Sequence, residues 1–144
     1  MAKLWTIGYE SLWPDALVAE LEAAGVQRVV DVRLRPQSRR PGMSKTKLGL
    51  KLAEHGIAYE HRRELGTPLE IRGLYRAGHH EQAAAAYRAH AATAAADELD
   101  ALAGELGRVR TALLCLEANP AGCHRRVVAD LLRERVPGLE VQDL

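Results

Sequence analysis

Five residues in one short stretch, between positions 115 and 125, have side chains that could take part in catalysis. An apolar run ends with Cys115 and Glu117, a turn follows, and Cys123, His124 and Arg125 open a second apolar pattern. Cys123 precedes a predicted helix, where the helix dipole and the free amide groups favour a thiolate. With His124 and Arg125 beside it, Cys123 is a candidate nucleophile, with Arg125 as a candidate substrate contact. The alternative is a small residue that packs a tight turn.

Cys115 and Glu117 share one face of the predicted strand that precedes this turn, because side chains alternate along a strand. We interpret Cys115 as a buried structural thiol, since unpaired cysteine is among the most buried residue types. Glu117 stands where the strand ends and could act as a general acid or base, or could hold an arginine. Nothing in the sequence marks export, so we expect Cys115 and Cys123 to be free thiols in a cytoplasmic protein.

A second group of polar residues accompanies the apolar sequence RVVDV and the loop after it. Asp31 and Arg33 lie on one face of the predicted strand, where they could form a structural ion pair or serve a substrate. Ser38 and Arg39 lie on the proline-containing loop that follows, and guanidinium groups there would suit bidentate phosphate recognition. Tyr9 follows the first predicted strand. These residues are candidates for substrate binding, with Asp31 also a candidate acid or base.

Strand-like and helix-like segments alternate along the chain, and these are the elements that must position the polar residues. Apolar runs predict strands at 3–7, 28–32, 57–61, 109–117 and 139–144. Helical spacing predicts one helix from about Pro14 to Gly25, another from Ser44 to Gly56, and a last one around 127–132 that ends before Pro137. The alanine-rich segment from Leu74 to Leu106 predicts two helices or one broken helix.

This alternation predicts an α/β fold, with residues 1–144 as a single domain. Helices should cover both faces of a mainly parallel sheet of about four to five strands, which gives a three-layer sandwich. Ligands of such sheets bind beyond the carboxyl ends of the strands. The polar residues that follow strands one, two and four should therefore meet at one rim.

Composition limits the class of protein. The chain has 144 residues, 47% of them hydrophobic, which is enough for one buried core. No apolar run approaches the roughly 20 residues of a membrane span, so we expect no membrane partner. The net charge is +1, but residues 28–63 hold ten basic residues against three acidic ones, a local net charge of +7. That excess predicts a nucleotide or nucleic-acid partner, or else a solvated helix face.

Three familiar templates do not fit. A phosphatase loop needs an arginine six residues after its cysteine, but Ala121 and Ala129 stand at those positions. Cys115, Cys123 and His124 would give at most three zinc ligands, so we predict no metal site. Glycine-rich phosphate loops are missing, so hydrolysis of a nucleotide triphosphate has no support. We also predict no cofactor. The oligomeric state stays open.

The motifs D-V-R-x-x-P-x-S-R and C-x-E-x(5)-C-H-R, together with TIGYE and GIAYEHRRELGTP, occur in an order that resembles a known family. It is the bacterial and archaeal family catalogued as domain of unknown function 488, and the resemblance covers nearly the whole chain. It implies an α/β fold and no settled activity. It also implies a polar cluster of Tyr9, Asp31, Arg33, Ser38, Arg39, Glu117, Cys123, His124 and Arg125.

Three functions are compatible with these observations. The first is a hydrolase or transferase acting on a phosphate-bearing substrate, with Cys123, Glu117, Asp31 and His124 as the catalytic candidates. The second is a non-catalytic nucleic-acid-binding module, whose affinity should fall steeply with salt. The third is a rhodanese-like sulfur carrier, because VVDVR also begins many such domains and Cys123 follows a strand.

Overall fold

A computed structural model describes residues 2–144 and contains one five-stranded sheet in which every strand is parallel to its neighbours. The strand order is β3-β2-β4-β1-β5. The strands are β1 (Lys3–Gly8), β2 (Arg28–Asp31), β3 (Ala58–His61), β4 (Thr111–Cys115) and β5 (Glu140–Asp143). All five predicted strands are therefore present, although β4 is shorter than the apolar run that predicted it.

Six helices connect the strands. They are α1 (Pro14–Ala24), α2 (Lys45–Glu54), α3 (Leu69–Arg76), α4 (His80–Ala94), α5 (Ala96–Glu105) and α6 (Arg125–Arg135). The alanine-rich segment holds α4 and α5, separated at Ala95, but the prediction missed α3 because that helix begins before the alanine-rich composition does. Among residues 2–144, no helix combines the length and the apolar composition that crossing a bilayer requires.

Two separate apolar clusters flank the sheet. Alternation within each strand divides its side chains between them, so that Val29 and Leu114 face one cluster while Val30 and Leu113 face the other. Helices α1 and α2 pack on the first side and α4, α5 and α6 on the second. The predicted α/β three-layer sandwich is thus confirmed.

The connections after β2 and β4 leave the sheet in opposite directions. Helix α2, which follows β2, packs on one face, whereas α6, which follows β4, packs on the other. Because β2 and β4 are neighbours, a crevice opens between their carboxyl ends. This is the position at which open parallel sheets bind ligands.

Gly8 allows the chain after β4 to cross closely over the end of β1. A Cβ atom at this position would lie 1.7 Å from the carbonyl oxygen of Glu117. No side chain could be accommodated without moving that backbone. A glycine at the end of β1 is therefore a requirement of the loop that presents Glu117.

Candidate active site at the rim of the sheet

A cavity of about 450 Å³ lies at the carboxyl ends of β2 and β4. The loop after β2, helix α3 and the segment after β4 supply its walls. Seven of the nine polar residues singled out from the sequence line it: Tyr9, Arg33, Ser38, Arg39, Glu117, Cys123 and His124. Asp31 and Arg125 are not among the lining residues and lie behind the wall.

The end of β2 is held by a buried ion pair between Asp31 and Arg33. Arg33 Nη2 donates to Asp31 Oδ2 at 2.7 Å, and Arg33 Nε donates to Oδ1 at 2.9 Å. Tyr59, on the neighbouring strand β3, donates its hydroxyl to Asp31 Oδ2 at 2.5 Å. Asp31 and Arg33 therefore form a structural ion pair, which was one of the two alternatives considered for these residues. Asp31 is occupied and positions Arg33, so it is not a free acid or base.

Arg33 in turn fixes the groups around it. Its Nη1 atom donates to the Met43 carbonyl oxygen at 2.8 Å and to the Tyr9 hydroxyl at 3.2 Å. Burial lowers the pKa of Arg33, but the Asp31 carboxylate outweighs this effect and raises the pKa above its ordinary value. Arg33 is thus a permanent cation that supports the cavity wall with most of its donors already used.

The loop after β2 is closed on itself by two serines. Ser44, the residue before the first turn of α2, donates its hydroxyl to the Ser38 carbonyl oxygen and accepts from the Ser38 amide. This pairing replaces the helix cap that a serine usually provides. The exposed Arg35 and Arg39 of the same loop line the cavity, and neither forms a salt bridge within residues 2–144.

The side chains of Cys115 and Cys123 lie next to each other, with their sulfur atoms in contact. The short helical turn Pro120–Gly122 reverses the chain and returns Cys123 to the end of β4, where Cys115 lies. Their Cα atoms are 7.4 Å apart. Cys115 is buried as predicted, but both cysteines also belong to the cavity wall. A Cα separation above about 7 Å is too large for a disulfide without movement of the backbone, so the assignment of two free thiols stays a prediction.

His124 is held as a neutral imidazole. Its Nε2 atom lies 2.7 Å from the Val32 carbonyl oxygen, which can only accept, so Nε2 carries the proton. Nδ1 is then an acceptor, 3.6 Å from Cys123 Sγ. Desolvation of the buried ring lowers the pKa of His124 to about 4. A ring with so low a pKa is a weak base, so Nδ1 of His124 is placed to accept a hydrogen bond from the Cys123 thiol and not its proton.

Arg125 is fully buried and supports the segment after β4 from behind. It donates to Cys115 Sγ at 2.9 Å, to the Glu117 carbonyl oxygen, and to the Ala118 carbonyl oxygen at 3.1 Å. Its Nε atom has no partner within residues 2–144. Desolvation lowers the pKa of Arg125. The sequence suggested that Arg125 contacts substrate, whereas the structure places it where it shapes the loop.

Helix α3 supplies cavity residues that sequence reasoning missed. Arg72, Tyr75 and Arg76 line the cavity from this helix. Tyr75 is buried, and its hydroxyl has no hydrogen-bond partner within residues 2–144. Desolvation, aided by the charge of Glu117, raises the pKa of Tyr75 to about 12. The three residues are spaced so that they share one face of a helix. A correct prediction of α3 would have identified them as a group.

The basic segment at 28–63 is only partly available to a ligand. Carboxylates pair with four of its ten basic residues: Arg28, Arg33, Lys51 and Arg62. Arg40 donates to the carbonyl oxygens of Tyr9, Glu10 and Leu12. Half of the local positive charge therefore serves the fold.

Three possible metal-binding groups meet at the end of β4. The sulfur atoms of Cys115 and Cys123 and a carboxylate oxygen of Glu117 all lie within 4.8 Å of one another. The sequence suggested His124 as the third group, but the Nε2 atom of that ring is committed to Val32. The two sulfurs would bind a metal only as thiolates, after loss of their protons.

Comparison with known proteins gives one match. A family model described as Domain of unknown function DUF488 matches residues 14–132. No curated protein and no solved structure matches the chain significantly. The matched range includes eight of the nine polar residues singled out from the sequence and omits Tyr9.

Proposed function

The chain belongs to the DUF488 family of unknown function, and we propose that it is an enzyme that acts on a phosphate-bearing substrate, a nucleotide or a nucleic-acid end. One observation carries this proposal. Guanidinium groups without carboxylate partners line the same cavity as Glu117, Cys123 and His124. Side chains that can bind an anion therefore lie next to side chains that can react.

The cavity suits a small anionic molecule. Its volume of about 450 Å³ lies within the roughly 300–1,000 Å³ typical of ligand sites. Arg35 and Arg39 present planar, permanently charged donors that match phosphate oxygens. Arg33, already bound to Asp31, keeps the loop that carries them in place.

Glu117 and Cys123 are the groups we assign to chemistry. Glu117 is half-buried at the cavity wall and forms no salt bridge within residues 2–144, so its carboxylate is available as a general acid or base. We place the enzyme in the cytoplasm, where thiol pools keep most cysteines reduced. There, Cys123 would be a free thiol, with Nδ1 of His124 as the acceptor of its hydrogen bond.

A nucleotide library assayed with a thiol reductant tests this proposal. We expect Glu117→Gln to lower the rate by about 10²–10⁴-fold, the usual contribution of general acid–base catalysis. Cys123→Ser should abolish any covalent intermediate that mass spectrometry detects. Glu134→Gln, an exposed change on α6, serves as the control. Unchanged turnover in both cavity variants contradicts the proposal.

The same protein preparation distinguishes the other two functions. Binding of oligonucleotides without turnover, with an affinity that falls steeply as salt rises, would favour a nucleic-acid-binding module. A persulfide on Cys123 after treatment with thiosulfate would favour a sulfur carrier. Many basic residues of the segment 28–63 are bound to other groups of the protein. The segment therefore does not offer a long binding surface for nucleic acid or a large free positive surface.

A further inference from the structure

Helix α3 presents a second cationic wall to the cavity. Arg72, Tyr75 and Arg76 stand at positions i, i+3 and i+4 of this helix, so their side chains share one face. All three line the cavity, and neither arginine forms a salt bridge within residues 2–144. The first wall is the loop with Arg35 and Arg39, which belongs to a different part of the chain.

The Tyr75 hydroxyl is the sign that this wall contacts a ligand. Tyr75 is only 7% exposed, yet its oxygen has no hydrogen-bond partner within the part of the chain that the structure describes. A buried hydroxyl without a partner is unfavourable, and nearly all such groups in folded proteins find one. Because the side chain lines the cavity, a bound molecule can supply that partner. A phenol that keeps its proton at neutral pH would act as the donor.

The positive charge of the cavity indicates which anionic group the bound molecule carries. Five guanidinium groups without carboxylate partners within residues 2–144 line the cavity, and Arg40 is the one of them that donates to backbone carbonyl oxygens. Glu117 is the one carboxylate among the lining residues. A phosphate monoester brings at most two negative charges and is small enough to be held at one wall. A diphosphate brings more charge and can contact two walls at once.

We propose that the cavity binds a diphosphate group of a small molecule, as in a nucleoside diphosphate. Arg35 and Arg39 bind one phosphate, and Arg72 and Arg76 bind the other. The Tyr75 hydroxyl donates a hydrogen bond to an oxygen of the diphosphate. This assignment rests on the anion-binding part of the proposed function and names its substrate class.

Calorimetric titration of the full chain with pyrophosphate and with inorganic phosphate tests the assignment. We expect pyrophosphate to bind at least about tenfold more tightly, because charge-assisted hydrogen bonds form at both walls. Arg72→Gln and Arg76→Gln should each weaken pyrophosphate binding by about tenfold, whereas Lys47→Gln, an exposed loss of the same charge on α2, should not. Equal affinities for the two anions, or equal effects of the three variants, overturn the assignment.

Tyr75→Phe gives a second, independent measurement. Removal of a hydroxyl that has no protein partner should leave the urea midpoint unchanged or raise it, while pyrophosphate binding weakens by about fivefold or more. A lower midpoint with unchanged affinity would mean that the hydroxyl serves the fold, which overturns its role here. Pyrophosphate binding through α3 without nucleotide turnover would contradict the catalytic proposal alone. Turnover of monophosphates with no preference for pyrophosphate would contradict this inference alone.

Discussion

The two strand ends that border the cavity are built differently. At the end of β2, the buried charges of Asp31 and Arg33 are paired with each other, and Tyr59 and Met43 provide further hydrogen bonds. At the end of β4, the buried Arg125 has carbonyl and sulfur partners but no carboxylate partner within residues 2–144. The Tyr75 hydroxyl nearby has no hydrogen-bond partner among the residues that the structure describes.

This difference suggests a division of roles. Buried polar groups with complete sets of partners stabilise one conformation, whereas incompletely paired groups cost stability and are concentrated where proteins bind ligands. The end of β2 is thus the support of the site, and the end of β4 with α3 is where a ligand is expected. Three changes would break or sharpen this comparison.

Asp31→Ala should have the largest effect. It leaves the guanidinium of Arg33 buried without a counter-charge and removes the partner of Tyr59, so we expect a loss of about 3–5 kcal/mol in the free energy of unfolding. Urea denaturation at pH 7.5 measures this loss.

The control for that experiment is Glu134→Ala. Glu134 pairs with Arg88 on the surface, and both side chains are about half exposed. Exposed pairs contribute little, so the expected loss is below about 1 kcal/mol. If the two variants lose equal stability, the ion pair at the end of β2 is not the support that we describe.

His124 should make stability depend on pH. Its pKa falls from 6.5 to about 4 on folding, mainly through desolvation, so the unfolded chain binds more protons between these values. The stabilising contribution is complete above about pH 6.5 and is lost as the pH falls towards 4, by about 3 kcal/mol in total. We expect the free energy of unfolding, measured by urea denaturation from pH 7.5 to 4, to change less with pH in His124→Gln than in the wild-type protein. The glutamine keeps a hydrogen-bond donor for the Val32 carbonyl oxygen. The exposed His79→Gln variant should retain the wild-type profile.

Tyr59→Phe should have the smallest of these effects. The variant removes one hydrogen bond to the Asp31 carboxylate, which is worth about 1.5–3 kcal/mol. Its counterpart Tyr75→Phe removes a hydroxyl with no protein partner and should cost nothing. Thermal or urea unfolding of the two variants side by side compares the two strand ends directly. Equal losses would show that the end of β4 is as fully paired as the end of β2.

The amino-acid sequence determined the architecture. Apolar runs are sufficient to predict β1, β2 and β4, because these central strands are buried on both faces and carry their signal locally. The edge strands β3 and β5 are more exposed and carry a weaker signal. The order of strands and polar residues also predicted that the selected residues would meet at one rim of the sheet, and seven of the nine line one cavity there. Helix α3 escaped prediction, since its eight residues have a strongly polar face and no distinctive composition.

Tertiary structure alone decided how the individual groups are used. Asp31 is occupied because Tyr59 of a neighbouring strand binds it together with Arg33. Cys123 lies beside Cys115 because the turn at Pro120–Gly122 returns it to the end of β4, and Tyr75 faces the cavity because of how α3 packs. The physical reason is that a side chain's availability depends on its neighbours in space. Those neighbours come from distant parts of the chain, which local periodicity and spacing do not reveal.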